Sequence, residues 1–315
     1  MTEIAPPRAD VSPDRRPRVG YAMTLTAAVL FAVNGAVSKV ILDTGISSLR
    51  LSELRATCGA AGLAVGLALL APARLRLARR ELGFLLFYGV CGFALVQWLY
   101  FVAIHRLPIG IGLLLEFTAP VLVALWARYA WHEPVRRRVW AALALSLTGL
   151  VLVAEVWSGF KLDGLGVAAG LVDAVALAMY FVVGERGVSR RDPTSLVCYA
   201  LAFAALFWAV TQPWWSFPFA KLHGSTSLHG HLAGTSTPVW VLYLWLVVLG
   251  TIAPFALSIG ALRHLPATTV GIVATFEPVA ASFVAWVWLN ETLDTAQLIG
   301  GLTVLAGIFL AETSR

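Results

Sequence analysis

The stretch "HRLPIGIGLLLEFTAP", residues 105–120, returns in altered form as "RHLPATTVGIVATFEP", residues 263–278. The two stretches align without a gap, and the alignment continues beyond them. Self-similarity at a fixed spacing indicates an internal duplication. The matched pairs include Leu107 with Leu265, Pro108 with Pro266, Pro120 with Pro278, Glu133 with Glu291, and Gly149 with Gly307.

The composition indicates an integral membrane protein. Of 315 residues, 59% are hydrophobic and only 13% are charged, and the mean hydropathy is +0.81. These values exclude an ordinary soluble domain. A net charge of +6 could suggest nucleic acid as a partner. The basic residues, however, fall in short loops, where anionic lipid and insertion topology explain them better, so no nucleic acid is expected.

Ten apolar segments approach the length that crosses a bilayer, about 20 residues. They predict an all-α integral membrane protein with ten transmembrane helices. A disordered cytoplasmic tail is predicted at 1–19, a first five-helix unit at 20–159 and a second at 160–315. The predicted helices are 20–41, 50–72, 83–104, 108–127, 138–156, 164–184, 195–213, 238–262, 267–289 and 295–312.

The charges of the loops test the relative orientation of the two units. An odd number of helices per unit forces the second unit to enter the membrane inverted. Most of the 23 basic residues then fall on the side of the N-terminus, which predicts that both termini are cytoplasmic. "HEPVRRR" after the fourth helix is basic, whereas its repeat partner "NETLDTA" has no basic residue. Inverted repeats are typical of secondary transporters with a site between the halves.

These motifs resemble the EamA-type branch of the drug/metabolite transporter superfamily over residues 20–313. Each half has "LP" opening its fourth helix, then "FTAP" or "FEP", then "HEP" or "NETL", and a fifth helix containing glycine. The first-half stretch is similar to the threonine/homoserine exporter type. The resemblance implies a central cavity and export of small metabolites, in some members by proton exchange. The chain departs from the exporter pattern in a long loop, residues 211–237, which contains three histidines.

Ionisable residues inside predicted membrane helices are candidate functional residues, because each costs about 2.5–3.5 kcal/mol even on lenient scales. Arg55 matches the family's arginine and is expected to bind a substrate carboxylate with two parallel hydrogen bonds; a pairing with an acid on a neighbouring helix is the alternative. Asp173 either contacts substrate or neutralises a buried arginine such as Arg55. Glu53 points to another helix face than Arg55, and Lys39 is shallow enough to reach outward.

Two glutamates accompany the repeated prolines. Pro120 deprives the carbonyl of Glu116 of its helical donor, and Pro278 does the same to Ala274, next to Glu277. Unpaired backbone at membrane depth is tolerated only beside protein or a water-filled cavity. Both acids are therefore predicted to bind substrate and to carry the coupling proton. A structural alternative is a kinked helix with a protonated, hydrogen-bonded glutamic acid.

Polar residues on other helices complete the predicted site. Trp98, beside Gln97 in the third helix, is a candidate for the cavity wall, with an outward-facing position as the alternative. No catalytic residue and no metal ligand is predicted. The predicted substrate-binding residues are Asn34, Arg55, Gln97, Trp98, Glu116, Asp173 and Glu277.

Other chemistries have little support in the sequence. His223, His229 and His231 lie in a flexible glycine- and serine-rich loop without cysteine or a nearby acid, which makes a poor zinc site. Cys58, Cys91 and Cys198 have no CxxC spacing and indicate neither a disulfide nor a metal. No phosphate-binding GxxxxGK loop is present, which argues against ATP as the energy source.

The sequence therefore predicts a multi-pass carrier of the bacterial inner membrane. It would export a small metabolite, an amino acid or related compound, by proton antiport. The alternatives are a multidrug or nucleoside exporter of the same superfamily and, in other classes, a membrane-embedded enzyme or a channel. Expected partners are the small-molecule substrate, protons and the lipid bilayer. A homodimer is left open, and no cofactor is expected.

Overall fold

The computed structural model describes residues 16–107, 109–157, 163–290 and 294–313. Within these ranges the chain is built almost entirely of helices. They are α1 (Pro17–Leu42), α2 (Ser48–Leu70), α3 (Leu82–Gly89), α4 (Leu95–Arg106), α5 (Ile109–Glu116), α6 (Ala119–Tyr129), α7 (Arg137–Val153), α8 (Gly164–Val188), α9 (Pro193–Thr211), α10 (Val239–Val247), α11 (Ala253–Ala261), α12 (Ala267–Ala274), α13 (Phe276–Leu289) and α14 (Thr295–Glu312). Two π-helical segments, Val90–Ala94 and Val248–Ile252, connect α3 to α4 and α10 to α11.

Nine helical stretches in the described part of the chain are long and apolar enough to cross a membrane. They confirm an all-α membrane protein. The predicted segment that is not among the nine is α7, which has 17 residues. The predicted tail needs correction, because α1 begins at Pro17 and not at residue 20. Proline is favoured in the first turn, where its missing N–H removes no hydrogen bond. Residues 1–15 and the predicted junction near 160 lie outside the described ranges.

The helices form two groups with a cavity between them. In the α1 group, α1 packs against α11, α12 and α13. In the α8 group, α8 packs against α4, α5 and α6. Of the other long helices, α2 packs against α9 and α7 packs against α14. Each group therefore combines one helix from one half of the sequence with the later helices of the other half.

Glycines bring α7 and α14 into close contact. A methyl group added at Gly300 would lie 2.6 Å from the carbonyl oxygen of Gly149, and one added at Gly307 would lie 2.5 Å from Ser146 Oγ. Small residues at such positions let membrane helices approach closely enough for backbone packing, which stabilises them in the absence of a hydrophobic driving force. The glycines that the sequence places in the fifth helix of each unit therefore have a packing role.

We expect Gly300→Ala to destabilise the protein by about 1–3 kcal/mol, the usual range for overpacking. Gly66→Ala is the matched control, because a methyl group there meets no atom within 4 Å, and alanine is otherwise the better helix former by about 0.5–1 kcal/mol. The measurement is the fraction of monodisperse protein left after heating in detergent. Equal resistance of both variants to heating would contradict the packing role.

The loop at 211–237 is more ordered than the sequence suggested. It contains three 3₁₀ turns, and strands β1 (Ser225–Ser227) and β2 (Ser236–Pro238) flank its second part as an antiparallel hairpin. Lys221 Nζ donates to the carbonyl of Gly45 at 2.6 Å, and Trp288 Nε1 donates to the carbonyl of Leu228 at 2.8 Å. The prediction of a flexible loop is therefore corrected, because these bonds hold it against the ends of α1 and α13.

Candidate functional site

A cavity of about 550 Å³ lies between the α1 group and the α8 group. Its walls are largely apolar, with polar side chains contributed by several helices. This combination is typical of sites for small molecules, in which a few polar groups fix the orientation of the ligand. The polar lining residues are Thr24, Asn34, Ser38, Lys39, Arg55, Gln97, Tyr100, Glu116, Tyr180, Ser258, Glu277, Ser282 and Gln297.

The cavity reaches one end of the molecule and is closed at the other. At the open end, Leu42, Leu289 and Gln297 line it, together with the exposed Lys39. At the closed end, α12 packs against α6 and α8. Glu185 Oε2 of α8 accepts a hydrogen bond from the backbone N–H of Ala267, the first residue of α12, at 3.1 Å. Helix packing and this hydrogen bond thus close the α12 end of the cavity in the described part of the chain.

The fourth predicted helix is interrupted next to Glu116. Helix α5 ends at Glu116 and α6 begins at Ala119. In the interruption, both the N–H and the hydroxyl of Thr118 donate to the carbonyl of Leu115, at 3.1 and 2.7 Å. Pro120 has no N–H to offer the carbonyl of Glu116. This acid therefore stands at the end of a half-helix and on the cavity wall.

The interruption between α12 and α13 has the same construction. The N–H and hydroxyl of Thr275 donate to the carbonyl of Ile272 at 3.1 and 2.6 Å. Glu277 follows at the start of α13 and lines the cavity, and Pro278 comes next. Interrupted helices at the site are a recurring feature of transporters, because the broken ends place polar groups at membrane depth.

Arg55 is held by the second π-helical segment. It is 7% exposed and lines the cavity. Its Nε donates to Thr251 Oγ1 at 3.1 Å, and its Nη2 donates to the carbonyl of Gly250 at 3.0 Å. A π-helical turn leaves carbonyl groups outside the regular hydrogen-bond ladder, which is why such turns recur at functional sites. Two of the five N–H donors of the guanidinium are thus used to fix its position.

The acidic charge that acts on Arg55 is that of Glu277, from α13. The alternative that Asp173 neutralises Arg55 is not supported, because the acid that interacts with Asp173 is Glu116. Asp173 is 1% exposed and is not among the residues that line the cavity. Its position behind the wall corrects the prediction of direct substrate contact.

Two amide side chains on the cavity wall have oxygen atoms without a hydrogen-bond donor among the described residues. Asn34 Oδ1 and Gln97 Oε1 are buried, and neither accepts a hydrogen bond from the described residues. Both residues line the cavity and stay candidates for contact with a substrate. A buried acceptor without a partner costs about 1–3 kcal/mol, which a ligand donor or water offsets by binding there.

Trp98 lies away from the cavity wall. It is 41% exposed and is not among the lining residues. Consecutive residues on a helix point about 100° apart, so the inward position of Gln97 directs Trp98 outward.

The buried charge of Glu53 has a structural explanation, because its Oε2 forms an ion pair with Arg50 Nη1 at 2.7 Å.

The sequence interpretation missed an aromatic part of the wall. Phe31, Phe93, Tyr180 and Phe255 all line the cavity, and the ring centroids of Phe93 and Phe255 lie 4.8 Å apart. Tyr100 also lines it, three residues after Gln97 and therefore on the same helix face. The spacing from Gln97 could have identified Tyr100. The other rings come from different helices, and no sequence pattern connects them.

Comparison with known proteins gives a consistent result. Residues 18–154 and 164–313 match the EamA-like transporter family. The threonine/homoserine exporter RhtA of Escherichia coli K12 is 30% identical over 263 residues, which cover 83% of this chain and 79% of that protein. An uncharacterized transporter of Archaeoglobus fulgidus is 27% identical over 296 residues, covering 93% of this chain and 96% of its own. A crystal structure with 21% identity superposes with a TM-score of 0.74, covering 95% of this chain and 98% of that one.

Proposed function

Because the chain belongs to the EamA-like transporter family, we propose that it exports a small metabolite, an amino acid or related compound, by proton antiport. The observation that carries this proposal is the cavity itself. It is open at one end, closed at the other, and lined by acidic, basic and amide side chains at membrane depth. A carrier needs such a compartment, because its site must face one side of the membrane at a time.

We further propose that the fold is two inverted five-helix repeats, with α7 as the tenth membrane helix. The secondary structure supports this reading. The π-helical segments begin at 90 and 248, and the half-helices α5 and α12 begin at 109 and 267, a spacing of 158 residues in each case. The same spacing relates Pro120 to Pro278. Rocking of the α1 group against the α8 group then exchanges the open end for the closed one.

The proposed orientation places both termini in the cytoplasm of a bacterial cell. The arginine-rich loops lie at the closed end, and the histidine-containing loop at the open end, so the structure corresponds to an outward-open carrier. In this state protons enter the cavity from outside and substrate leaves it.

The chemistry of the wall fits a zwitterion. Arg55 and Lys39 offer positive charge to a carboxylate, Glu116 and Glu277 offer negative charge to an ammonium group, and Asn34 and Gln97 offer amide acceptors. The name of the Escherichia coli relative, threonine/homoserine exporter, favours hydroxyl-bearing amino acids as the first candidates. Competition of a proton and an ammonium group for the same carboxylate would couple proton entry to substrate exit.

Counterflow tests the transport proposal. Purified protein in liposomes preloaded with an unlabelled amino acid should accumulate the same labelled compound, and L-threonine and L-homoserine are tested first. A proton gradient, acidic on the outside of cells, should drive net export. Counterflow accumulates the labelled compound against its own gradient, which a channel cannot do. Absence of counterflow for amino acids, with counterflow for nucleosides or cationic drugs, would select the alternative exporter class.

Cysteine labelling tests the orientation. Ser189 and Ser225 are both exposed, and both substitutions to cysteine are nearly isosteric. In a background without the three native cysteines, Ser225→Cys should react with an impermeant maleimide on intact cells, whereas Ser189→Cys should react only after lysis. Labelling of both from the same side would contradict the proposed topology.

A further inference from the structure

Arg55 binds the second π-helical segment through one edge of its guanidinium group. Nε donates to Thr251 Oγ1 at 3.1 Å, and Nη2 donates to the carbonyl oxygen of Gly250 at 3.0 Å. These two N–H groups are parallel and form the side-on edge of the guanidinium. A second parallel pair, one N–H of Nη1 and the other N–H of Nη2, forms its end-on edge. None of the hydrogen bonds from Arg55 to the described residues uses the end-on edge, and Arg55 lines the cavity.

The hydroxyl group of Thr251 is oriented to receive Arg55. Thr251 is 0% exposed, and its Oγ1 donates to the carbonyl of Leu246 at 2.9 Å. A hydroxyl has one hydrogen and two lone pairs, so the hydrogen bond to Leu246 leaves the lone pairs for the Nε–H of Arg55. The methyl group of Thr251 faces α2, because a methyl group added at Gly59 would lie 3.2 Å from Thr251 Cγ2. Gly59 and Arg55 are four residues apart on one face of α2, so both branches of the threonine contact this helix.

The carbonyl group of Gly250 is the second point of attachment. Pro254, four residues later, has no N–H to offer this carbonyl, and the guanidinium of Arg55 donates to it instead. On its other side Gly250 packs against α1, because a methyl group added there would overlap Asn34 Oδ1. Helices α1 and α2 therefore hold the turn from two sides. The side-on edge thus meets two acceptors whose positions are fixed by packing.

The first π-helical segment shows that such a turn does not require threonine. The two segments begin at residues 90 and 248, and at this spacing Phe93 is the counterpart of Thr251. Phe93 has no hydroxyl group, yet its segment is π-helical. The hydroxyl of Thr251 is therefore explained by its bond to Arg55 rather than by the geometry of the turn.

We propose that Thr251 is a positioning residue that selects substrates with a free carboxylate. It holds the guanidinium of Arg55 by the side-on edge, so that the end-on edge receives both carboxylate oxygens from the cavity. This inference rests on the proposed export of an amino acid and names the group that makes Arg55 selective. A carboxylate offers two equivalent acceptors to the parallel N–H pair. The corresponding carboxamide offers one oxygen and sets its NH₂ group against the second donor.

Removal of the hydroxyl keeps the positive charge of Arg55 but frees the guanidinium to turn. Thr251→Val retains the shape of the side chain and its methyl contact with α2. We expect its preference for an amino acid over the carboxamide to fall about 10-fold, the factor for one hydrogen bond to a charged group. Thr251→Ser retains the hydroxyl and should keep the preference. Thr148→Val is the matched control, because it removes an exposed hydroxyl that donates to the carbonyl of Ala144 in its own helix.

The measurement is competition with counterflow in liposomes. The labelled probe is L-threonine, or the first other common amino acid that the wild type exchanges, and the competitors are that amino acid and its carboxamide. Loss of the preference in Thr251→Val with rescue in Thr251→Ser would support the proposal. An unchanged preference in Thr251→Val would overturn it while amino-acid export stands. A wild type that exchanges no amino acid, or does not prefer the carboxylate, would refute the proposed substrate class and the selective role of Thr251 together.

The bond between Thr251 and Arg55 can also be followed without substrate. The Nε–H signal of Arg55 is assigned in protein with isotope-labelled arginine by its absence from Arg55→Lys. Its hydrogen exchange should be slow in the wild type and in Thr251→Ser, and faster in Thr251→Val. If the valine variant does not fold, Thr251→Ala provides the same comparison. Exchange as slow as in the wild type after loss of the hydroxyl would overturn the positioning role.

Discussion

Glu116→Gln is expected to reduce proton-driven net export to the level of protein-free liposomes while leaving counterflow of the same substrate largely intact. Glutamine keeps the shape of the side chain and its hydrogen-bonding capacity but cannot bind and release a proton. Counterflow exchanges substrate for substrate and needs no proton movement, whereas net export requires the protonated carrier to return. The separation of these two activities is what a coupling residue predicts and what a purely structural residue does not.

The measurement compares gradient-driven export and counterflow in the same preparation of liposomes. Glu133→Gln, an exposed glutamate outside the cavity, is the control and should match the wild type in both assays. Glu277→Gln should bind substrate more weakly, since the cavity wall loses this carboxyl group. Export by Glu116→Gln at the wild-type rate, still dependent on the gradient, would exclude this carboxyl as the proton site.

Much of the architecture follows from single residues. The apolar segments predicted a helical membrane protein, and the described spans confirm it. The motifs around Pro120 and Pro278 predicted the family, which the comparisons confirm. Proline is informative because its effect is local: the missing N–H acts on one carbonyl four residues earlier. The interruptions beside Glu116 and Glu277 could therefore be located without knowing how the helices pack.

Partners across the bundle could not be predicted in this way. The sequence offered Asp173 as a partner of Arg55, yet α8 packs on α5, and the acidic charge that acts on Arg55 is that of Glu277. Trp98 is a similar case, because polarity near Gln97 does not reveal which helix face turns inward. Such pairings depend on helix order and rotation, which come from the summed packing of many residues rather than from a motif.

The π-helical segments are another feature that the sequence interpretation did not identify. Neither Val90–Ala94 nor Val248–Ile252 contains a proline, but Pro254 follows the second segment and leaves the carbonyl of Gly250 without its helical donor. The two segments lie at equivalent positions in the two halves of the sequence, and the second of them binds Arg55. The second segment receives Arg55 on the carbonyl of Gly250, and this bond converts an irregular turn into a fixed support for a cavity-facing cation.

Arg55→Lys is expected to weaken substrate binding by about 10- to 100-fold, which corresponds to the loss of one charge-assisted hydrogen bond of about 1.5–3 kcal/mol. Lysine keeps the charge but has a compact ammonium group. It cannot hold Thr251 and the Gly250 carbonyl and also present donors to a substrate carboxylate. The measurement is the substrate concentration that gives half-maximal counterflow, with the exposed Arg128→Lys as the control.

A comparison of an amino acid with its uncharged carboxamide distinguishes substrate recognition by Arg55 from a purely structural role of this residue. If Arg55 binds the substrate carboxylate, the wild type should prefer an amino acid over its uncharged carboxamide, and Arg55→Lys should lose most of this preference. A residue that only braces α2 against the Val248–Ile252 segment would reduce the transport of both compounds by the same factor. Equal reduction, or wild-type flux of the lysine variant at limiting substrate, would assign Arg55 to the structure of the bundle. The carboxylate would then have to meet its positive charge elsewhere, and Lys39 at the open end is the other basic residue on the described wall.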